Sequence, residues 1–501
     1  MTITAQDLYN YTKCAHRVYL DTNGDPRDKS EVSSFVKLLW EMGLQKELEH
    51  LGTLAGTPIE DLKALPIAAA AARTDELMRE GAPLIYQGVI HADGMLGRPD
   101  LLVRRDDHAS TLGSWYYEAI DIKAGRGWEE RDGARTKFKR HYALQIMFYR
   151  DLLARVQGYA PPVGRIINVE SRYEEFDCAD FAADYAHTLA QVKRLVSARE
   201  TSEPVLSSAC AQCEWYRRCR RWVEERHDPS GLFFVGKQKF ALKERGLGTI
   251  EAIAAMDVSR YLQEPDKIPR MGKASLERMK RRAQVMLAGK PEIRPGYRFP
   301  AAKEEIYFDI EDDPTQGLVY FFGMVLQDKS GRDDFLYFQA DGAEEEENTV
   351  RLFWEFVRAH PSAVFYVYSH KERSTLRALM RRYHLDESVY EQYVQQEFDL
   401  YQFIVDYSDW PTYSYGIKQI ARQIGFSWRD PDPSGANSIA WFNDYLKDRS
   451  RRELLQRILD YNEDDCRAMV AIKRYFERHA AAPAGDALCQ SASPAATRRG
   501  R

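Results

Sequence analysis

Two sets of carboxylates in this 501-residue chain have the types and spacing that hold divalent cations. In the segment YFDIEDD, Asp309 and Glu311 stand two apart in a stretch that reads as a strand. Side chains alternate along a strand, so both acids share a face, and two like charges there want a cation. Far downstream, YNEDD sets Tyr461 and Asp465 at i and i+4 on one face of a predicted helix. Strand acids with a late helical Asp are the parts of a two-ion centre, in which paired cations stabilise the attacking and leaving oxygens of a phosphodiester. The other set lies nearer the N-terminus. The turn GRPD ends at Asp100, and the next predicted strand, YYEAIDIK, carries Asp121 and Lys123 on one face. A hard oxygen ligand beside an ammonium group suits a bound ion next to a cation that orients the attacking water. An isolated D-x-K triplet is more often a surface ion pair. Here it gains weight from Asp100, from Glu47 on an early helix, and from Gln145 and Tyr149 at i and i+4 on a later one.

Three cysteines, Cys210, Cys213 and Cys219, fall in CAQCEWYRRC, and Cys14 lies in YTKCAHRVYL. Four thiolates suit zinc or a 4Fe–4S cluster, and the spacing does not separate the two. A set so tight, flanked by Arg217, Arg218, Arg220 and Arg221, does not read as buried apolar cysteines. Cys178, Cys466 and Cys489 stand apart from it and read as structural or incidental. The segment IPRMGKASLERMKRRA has the form of a helix-hairpin-helix element, with backbone amides at Gly272 and Lys273 open to phosphate and charge added by Lys280, Arg281 and Arg282. A plain helix pair bridging two domains fits that segment equally well. If it binds, it binds without regard to sequence and with strong salt dependence.

The elements that must position these groups follow from pattern and length. A chain of this length predicts two or three domains, and 44% hydrophobic with 29% charged residues is the balance of a folded globular protein. The N-terminal region mixes a helix over FVKLLWEMGLQKELEHLGTLA, strands over GVIHADGMLGRPDLLVRRDD and SWYYEAIDIKAG, and a helix over HYALQIMFYRDLLARV, an α/β order. Two short helical pieces follow, and KPEIRPGYRFPAAKEE reads as a linker. Beyond it come strands EEIYFDIEDD, LVYFFGMVLQD and AVFYVYSH, then helices YGIKQIARQIG and LLQRILDYNEDDCRAMVAIKRYFERH. The expected domains are 1–228, a connector 229–292, 303–480, and a disordered tail 481–501. The acidic run Glu344–Glu347 reads as a solvated helix start. The net charge of −5 gives no global attraction to phosphate, so a nucleic-acid partner must be held by local basic clusters such as Lys237–Arg245 and Lys273–Arg282. No apolar run is long enough to cross a membrane and no secretory leader is visible, so a cytoplasmic protein without disulfides is expected.

The first set resembles the RecB-like branch of the PD-(D/E)xK nucleases, which join an acid in a turn, an acid-x-Lys strand and a Gln-x-x-x-Tyr helix in one site. The resemblance implies Asp100 and Asp121 as metal ligands, with Lys123, Gln145 and Tyr149 as catalytic groups. Such proteins often carry Gly-x-x-x-His on the early helix; this chain has Gly43 and Glu47 at those places, which makes Glu47 the matching ligand. One early Cys, a nuclease core and then C-x2-C-x5-C is similar to the iron–sulfur RecB-like nucleases, including those linked to CRISPR adaptation and to AddB. That similarity implies a 4Fe–4S cluster on Cys14, Cys210, Cys213 and Cys219, tying the ends of the domain together, with zinc as the alternative. The second set resembles the RNase H-like DEDD exonucleases in the variant with Tyr-x-x-x-Asp. It implies Asp309, Glu311 and Asp465 as ligands and Tyr461 as the group that orients water. The family's middle acid is an Asp after a strand; VYSHKERSTLRAL supplies Glu372 at that place, and Asp399 in EFDLYQF is its rival. YprB-like proteins share the stretch YSYGIKQIARQIGF, and the fusion resembles bacterial RecB-like nucleases over nearly its whole length.

The expectation is therefore a multidomain α/β protein: a restriction-endonuclease-like domain, a helix-hairpin-helix-like connector and an RNase H-like domain. Its expected activity is Mg²⁺- or Mn²⁺-dependent hydrolysis of DNA, exonucleolytic on single strands or ends, in repair, recombination or defence, with a helicase as a candidate partner. Two rivals stand beside it. One is a nucleic-acid-binding or assembly protein with one or both centres inactive, kept in play by Glu47 and Glu372. The other, a small-molecule phosphoesterase or zinc protein, would leave the basic clusters without purpose.

Overall fold

The computed structural model describes residues 2–54, 56–131, 134–327 and 333–481. Cys489 and all of the expected tail except Ala481 lie outside the described residues. The chain divides into two compact units, 1–226 and 227–501.

The first unit is built on a six-stranded sheet in the order Tyr173–Asp177, Val163–Ile167, Tyr116–Ile122, Leu101–Arg105, Leu84–Tyr86, Ile59–Asp61. Tyr116–Ile122 is antiparallel to Leu101–Arg105 and parallel to Val163–Ile167, and every residue in it is buried. Helix Arg140–Gln157 packs on this strand through Ala143, Leu144, Met147 and Phe148. Gln157 fixes the pairing: its buried amide accepts from the Tyr117 N–H at 2.8 Å and donates to the Tyr117 carbonyl at 2.9 Å. The N-terminal helices Ala5–Lys13 and Ala15–Asn23 close back on the last helix, Tyr216–Glu225. There the Trp215 indole donates to Asp21 at 2.8 Å, and a Cβ on Gly24 would stand 2.7 Å from the Trp215 ring.

The second unit holds a five-stranded sheet in the order Asp333–Gln339, Leu318–Gln327, Glu304–Asp313, Ala363–Val367, Glu397–Asp399. The first three strands are antiparallel neighbours and the last two run parallel to Glu304–Asp313. Alternation sends Ile306, Phe308 and Ile310 into one core, against helix Ala343–Ala359 and its neighbours. Tyr307, Asp309 and Glu311 face the other way, and Tyr307 packs with Cys466 and Met469 of helix Arg452–Ala481. Gly323, paired with Asp309, permits that helix to approach, because a Cβ there would collide with the Asn462 side chain.

Two expectations change here. The proline-bearing stretch after Lys290 is not a free spacer: Glu292–Ile293 pairs with Ser408–Asp409, and Tyr297 and Phe299 pack on the core beside Phe403. The acidic run is not wholly solvated either. Glu346 is buried, accepts from the Val319 amide at 2.6 Å and pairs with Arg382 at 2.7 Å. Three charged neighbours hid a residue whose partners are distant in sequence.

Candidate metal centres

In the first unit the pairing of Leu101 with Ile120 sets Asp100 beside the end of the central strand. Asp100 accepts from the Ile122 amide at 2.7 Å and from the Gln87 side chain at 2.9 Å, while its own amide reaches Asp121 at 3.3 Å. Lys123 Nζ donates to Asp121 at 2.8 Å and to Gln145 Oε1 at 3.0 Å. Tyr149, one turn beyond Gln145, is buried, and its hydroxyl is held well above its ordinary range by burial and then by Asp121 and Asp100. Gly97 makes room for it, since a Cβ there would stand 2.8 Å from the Tyr149 ring. Glu47, from helix Ser34–Thr53, accepts from the Tyr86 hydroxyl at 2.9 Å and lies 3.8 Å from Lys63. Burial, and then Asp121, push the Asp100 carboxyl well above its usual range. Burial would lower the Lys123 pKa, but Asp121 and Asp100 outweigh it and keep the ammonium charged. A carboxyl that resists ionising, Asp100, beside Asp121 and a charged Lys123 is a set of groups able to take a cation and an anionic substrate together.

In the same unit Cys14 occupies the extended break between the two N-terminal helices, Cys210 lies in the turn Ser208–Gln212, Cys213 follows it, and Cys219 sits on the last helix. All four are free thiols and line one cavity. Burial, and then its three neighbouring cysteines, push the Cys219 thiol up to about 12. Thiols that oppose one another's ionisation in this way are suited to a shared cationic centre. Cys178 and Cys466 are buried in hydrophobic cores instead.

The second unit brings Asp309, Glu311 and Asp465 together, with ligand oxygens all within 4.8 Å of one another. Burial, and then Asp465, raise Asp309 to about 7; burial, and then Asp309, hold Glu311 well above its usual range. Glu372 lies in the first turn of helix Lys371–Arg382 and is buried, with Oε2 free of hydrogen bonds; burial, and then Asp309, raise it to about 8. Its rival Asp399 caps helix Leu400–Tyr407 through the Tyr401 and Gln402 amides at 2.9 and 3.2 Å. Tyr461 and Asp465 do share a face: the Lys418 ammonium donates to the Tyr461 hydroxyl at 2.9 Å and to both Asp465 oxygens at 3.2 and 3.3 Å. The Trp428 indole donates to Asp465 at 2.7 Å, and the Asn462 amide to Asp309 at 2.8 Å. Lys371 pairs with Asp312 at 2.5 Å. No spacing rule singles out Lys418 or Trp428. Lys371 and Asn462 carry one weak signal, adjacency to Glu372 and to Tyr461.

The connector places its cations differently from one another. Gly272 and Lys273 are exposed at the start of helix Lys273–Ala288. Lys280 donates to the Met256 carbonyl at 2.8 Å. Arg281, Arg282 and Arg294 converge on the fully buried Asp409 at 3.4, 3.1 and 2.5 Å. Arg282 is thus a buried ion-pair partner and not the free charge its basic neighbours suggest.

Both units are mixed α/β and gather acids at a sheet, an arrangement able to hold divalent cations beside a phosphodiester. Residues 10–220 match the family model of the PD-(D/E)XK nuclease superfamily, and residues 306–477 match that of the RNase H superfamily. The chain joins an N-terminal PD-(D/E)XK domain to a C-terminal RNase H domain, a pairing that supports a metal-dependent nuclease. No match was found among curated proteins. Among the described residues, no helix is long and apolar enough to cross a membrane.

Proposed function

We propose that this protein hydrolyses DNA phosphodiester bonds, as an exonuclease on single strands or ends, at two centres. The observation that carries the reading is the triad of half-buried Asp309 and buried Glu311 and Asp465, whose oxygens lie within 4.8 Å of one another and whose nearby cations are Lys371 and Lys418. Mg²⁺ or Mn²⁺ held there would polarise the phosphate and lower the pKa of an attacking water. Tyr461, fixed by Lys418, is placed to orient that water, and Glu372 is favoured over Asp399 as the further acid because it shares the field of Asp309. At the first centre Asp100, Asp121 and Glu47 would hold the cation, Lys123 would orient the nucleophile, and Gln145 and Tyr149 would position Lys123 and the acids.

The thiol quartet, four free cysteines lining one cavity, would hold a 4Fe–4S cluster, with zinc as the alternative. When bound, the cluster would supply a staple between the N-terminal helices and the last helix of the unit. Gly272 and Lys273 would take backbone phosphate, with Lys280 and Arg281 adding positive field behind them. Action in the cytoplasm in repair, recombination or defence, alongside a helicase, belongs to the same proposal.

The test is cleavage of labelled single- and double-stranded DNA and RNA by anaerobically purified protein with Mg²⁺ or Mn²⁺. Lys123→Ala and Asp309→Asn should each remove a separable part of the activity, by roughly a hundredfold or more at the affected centre, and together all of it. Cleavage unaltered in the double variant would discard both centres.

A further inference from the structure

Phe234 is 65% exposed, the most exposed large hydrophobic side chain among the described residues. Its neighbours explain why it points outward: Leu232 and Val235 are buried in the connector's core, and Phe233 packs against the core of the RNase H domain. Its backbone is less expected. Phe234 has φ +70°, a conformation costly for a bulky residue and free for glycine. Phe234 thus carries an exposed ring at a backbone conformation that favours glycine.

The ring also ends a ladder. Phe234 stacks on Phe233 with centroids 4.0 Å apart, and Phe233 stacks on Tyr415, again at 4.0 Å. The Arg282 guanidinium lies 4.9 Å from the Phe233 centroid and 5.7 Å from that of Phe234, its charge anchored on buried Asp409. The ladder is fixed to the acidic centre through the chain: Tyr415 precedes Gly416, which caps helix Ile417–Gln423, and Lys418 of that helix touches Tyr461 and Asp465. Lys418 is the third residue after Tyr415, so their Cα atoms lie within about 11 Å of one another. Every base offers a π-face when unpaired, and an aromatic ring beside a guanidinium is a surface on which it stacks without regard to sequence.

We propose that Phe234 is a stacking platform for an unpaired nucleobase of the strand whose phosphodiester enters the Asp309 centre. The inference rests on the nuclease reading for its substrate but is tested apart from it. Binding is measured by fluorescence anisotropy with labelled oligothymidylate, oligouridylate and a duplex, with Mg²⁺ omitted so that nothing is cut. Phe234→Gly should weaken binding of the single strands roughly tenfold, the effect of losing one base–aromatic stack, and leave duplex binding nearly unchanged. Phe234→Trp should restore it. Glycine accepts the positive φ, so Phe234→Gly should melt no lower than the parent, which separates lost binding from lost fold. A loss confined to the deoxy or the ribo strand supports the platform and identifies its ligand. Equal affinity of parent and Phe234→Gly for both single strands, or an equal loss on duplex, overturns it. Failure of the parent to cleave with Mg²⁺ would remove the nuclease reading and leave this comparison standing.

Discussion

At the second centre, each acid makes the next one harder to ionise. Asp309 and Glu372 are raised to about 7 and about 8, against ordinary values of 3.8 and 4.5. A carboxyl raised on folding stabilises the fold below its ordinary pKa, and that stability is lost as pH rises through its folded value. The metal-free protein should therefore lose stability between about pH 4 and pH 8, and Mg²⁺ should restore it most at the alkaline end, where binding no longer displaces protons. Calorimetry with and without Mg²⁺ checks this; a melting temperature of the second unit that ignores pH in the absence of metal would discard the shared field. Lys418 carries a second expectation. Its ammonium, which bonds Asp465 and Tyr461, would compete with a metal ion for Asp465. Lys418→Met should lower the Mg²⁺ concentration giving half-maximal rate and reduce turnover about tenfold or more; a weaker Mg²⁺ requirement without loss of turnover would remove Tyr461 from the water-orienting role. Asp309, Glu311 and Asp465 were legible in the sequence because strand and helix periods fix their faces locally. Lys418 and Trp428 were not, since only the packing of helix Ile417–Gln423 and the segment after it on helix Arg452–Ala481 brings them to Asp465.

Among the elements, the contact that most constrains the centre is that of the long helix on the sheet. Asn462 reaches Asp309 only because Gly323, its strand neighbour across the pair, has no side chain. Gly323→Ala should destabilise the second unit by about 1–3 kcal/mol through overpacking, read as a lower denaturant midpoint, and should weaken Mg²⁺ dependence by displacing Asn462. In an Asn462→Ala background the same change should cost less, a coupling that a double-mutant cycle measures directly. Additive effects would mean that Gly323 and Asn462 do not set each other's position. The same element scale explains where pattern reading fell short. Pro295 and Gly296 look like spacer residues, yet Ile293 and Arg294 on one side and Tyr297 on the other are pinned by Ser408, Asp409 and Phe403. Arg282 looked like part of a basic face because its acid partner, Asp409, is distant in sequence. Period identifies an element and its faces; it does not say which charge on it will meet a buried counter-charge from elsewhere.

For the whole molecule, the division into two units with separate cores makes their stabilities separable in principle. The four thiols belong to the first unit alone and come from its two chain ends, so a group bound by them would staple those ends, whereas the second unit packs its long helix through hydrophobic contacts. A structural metal group bound only by the folded state contributes its binding free energy to folding. Cys219→Ser should therefore lower the first unit's thermal transition by roughly 10 °C or more, abolish bound iron, and leave the second unit's transition where it was. Calorimetry paired with iron analysis reads both at once. The N-terminal PD-(D/E)XK domain would lose its Lys123-dependent cleavage in this variant, and the RNase H domain would keep its Asp309-dependent cleavage. A single transition shifted as a whole would mean that the two units fold as one, and an unshifted first transition with iron gone would mean that the cluster serves something other than the fold.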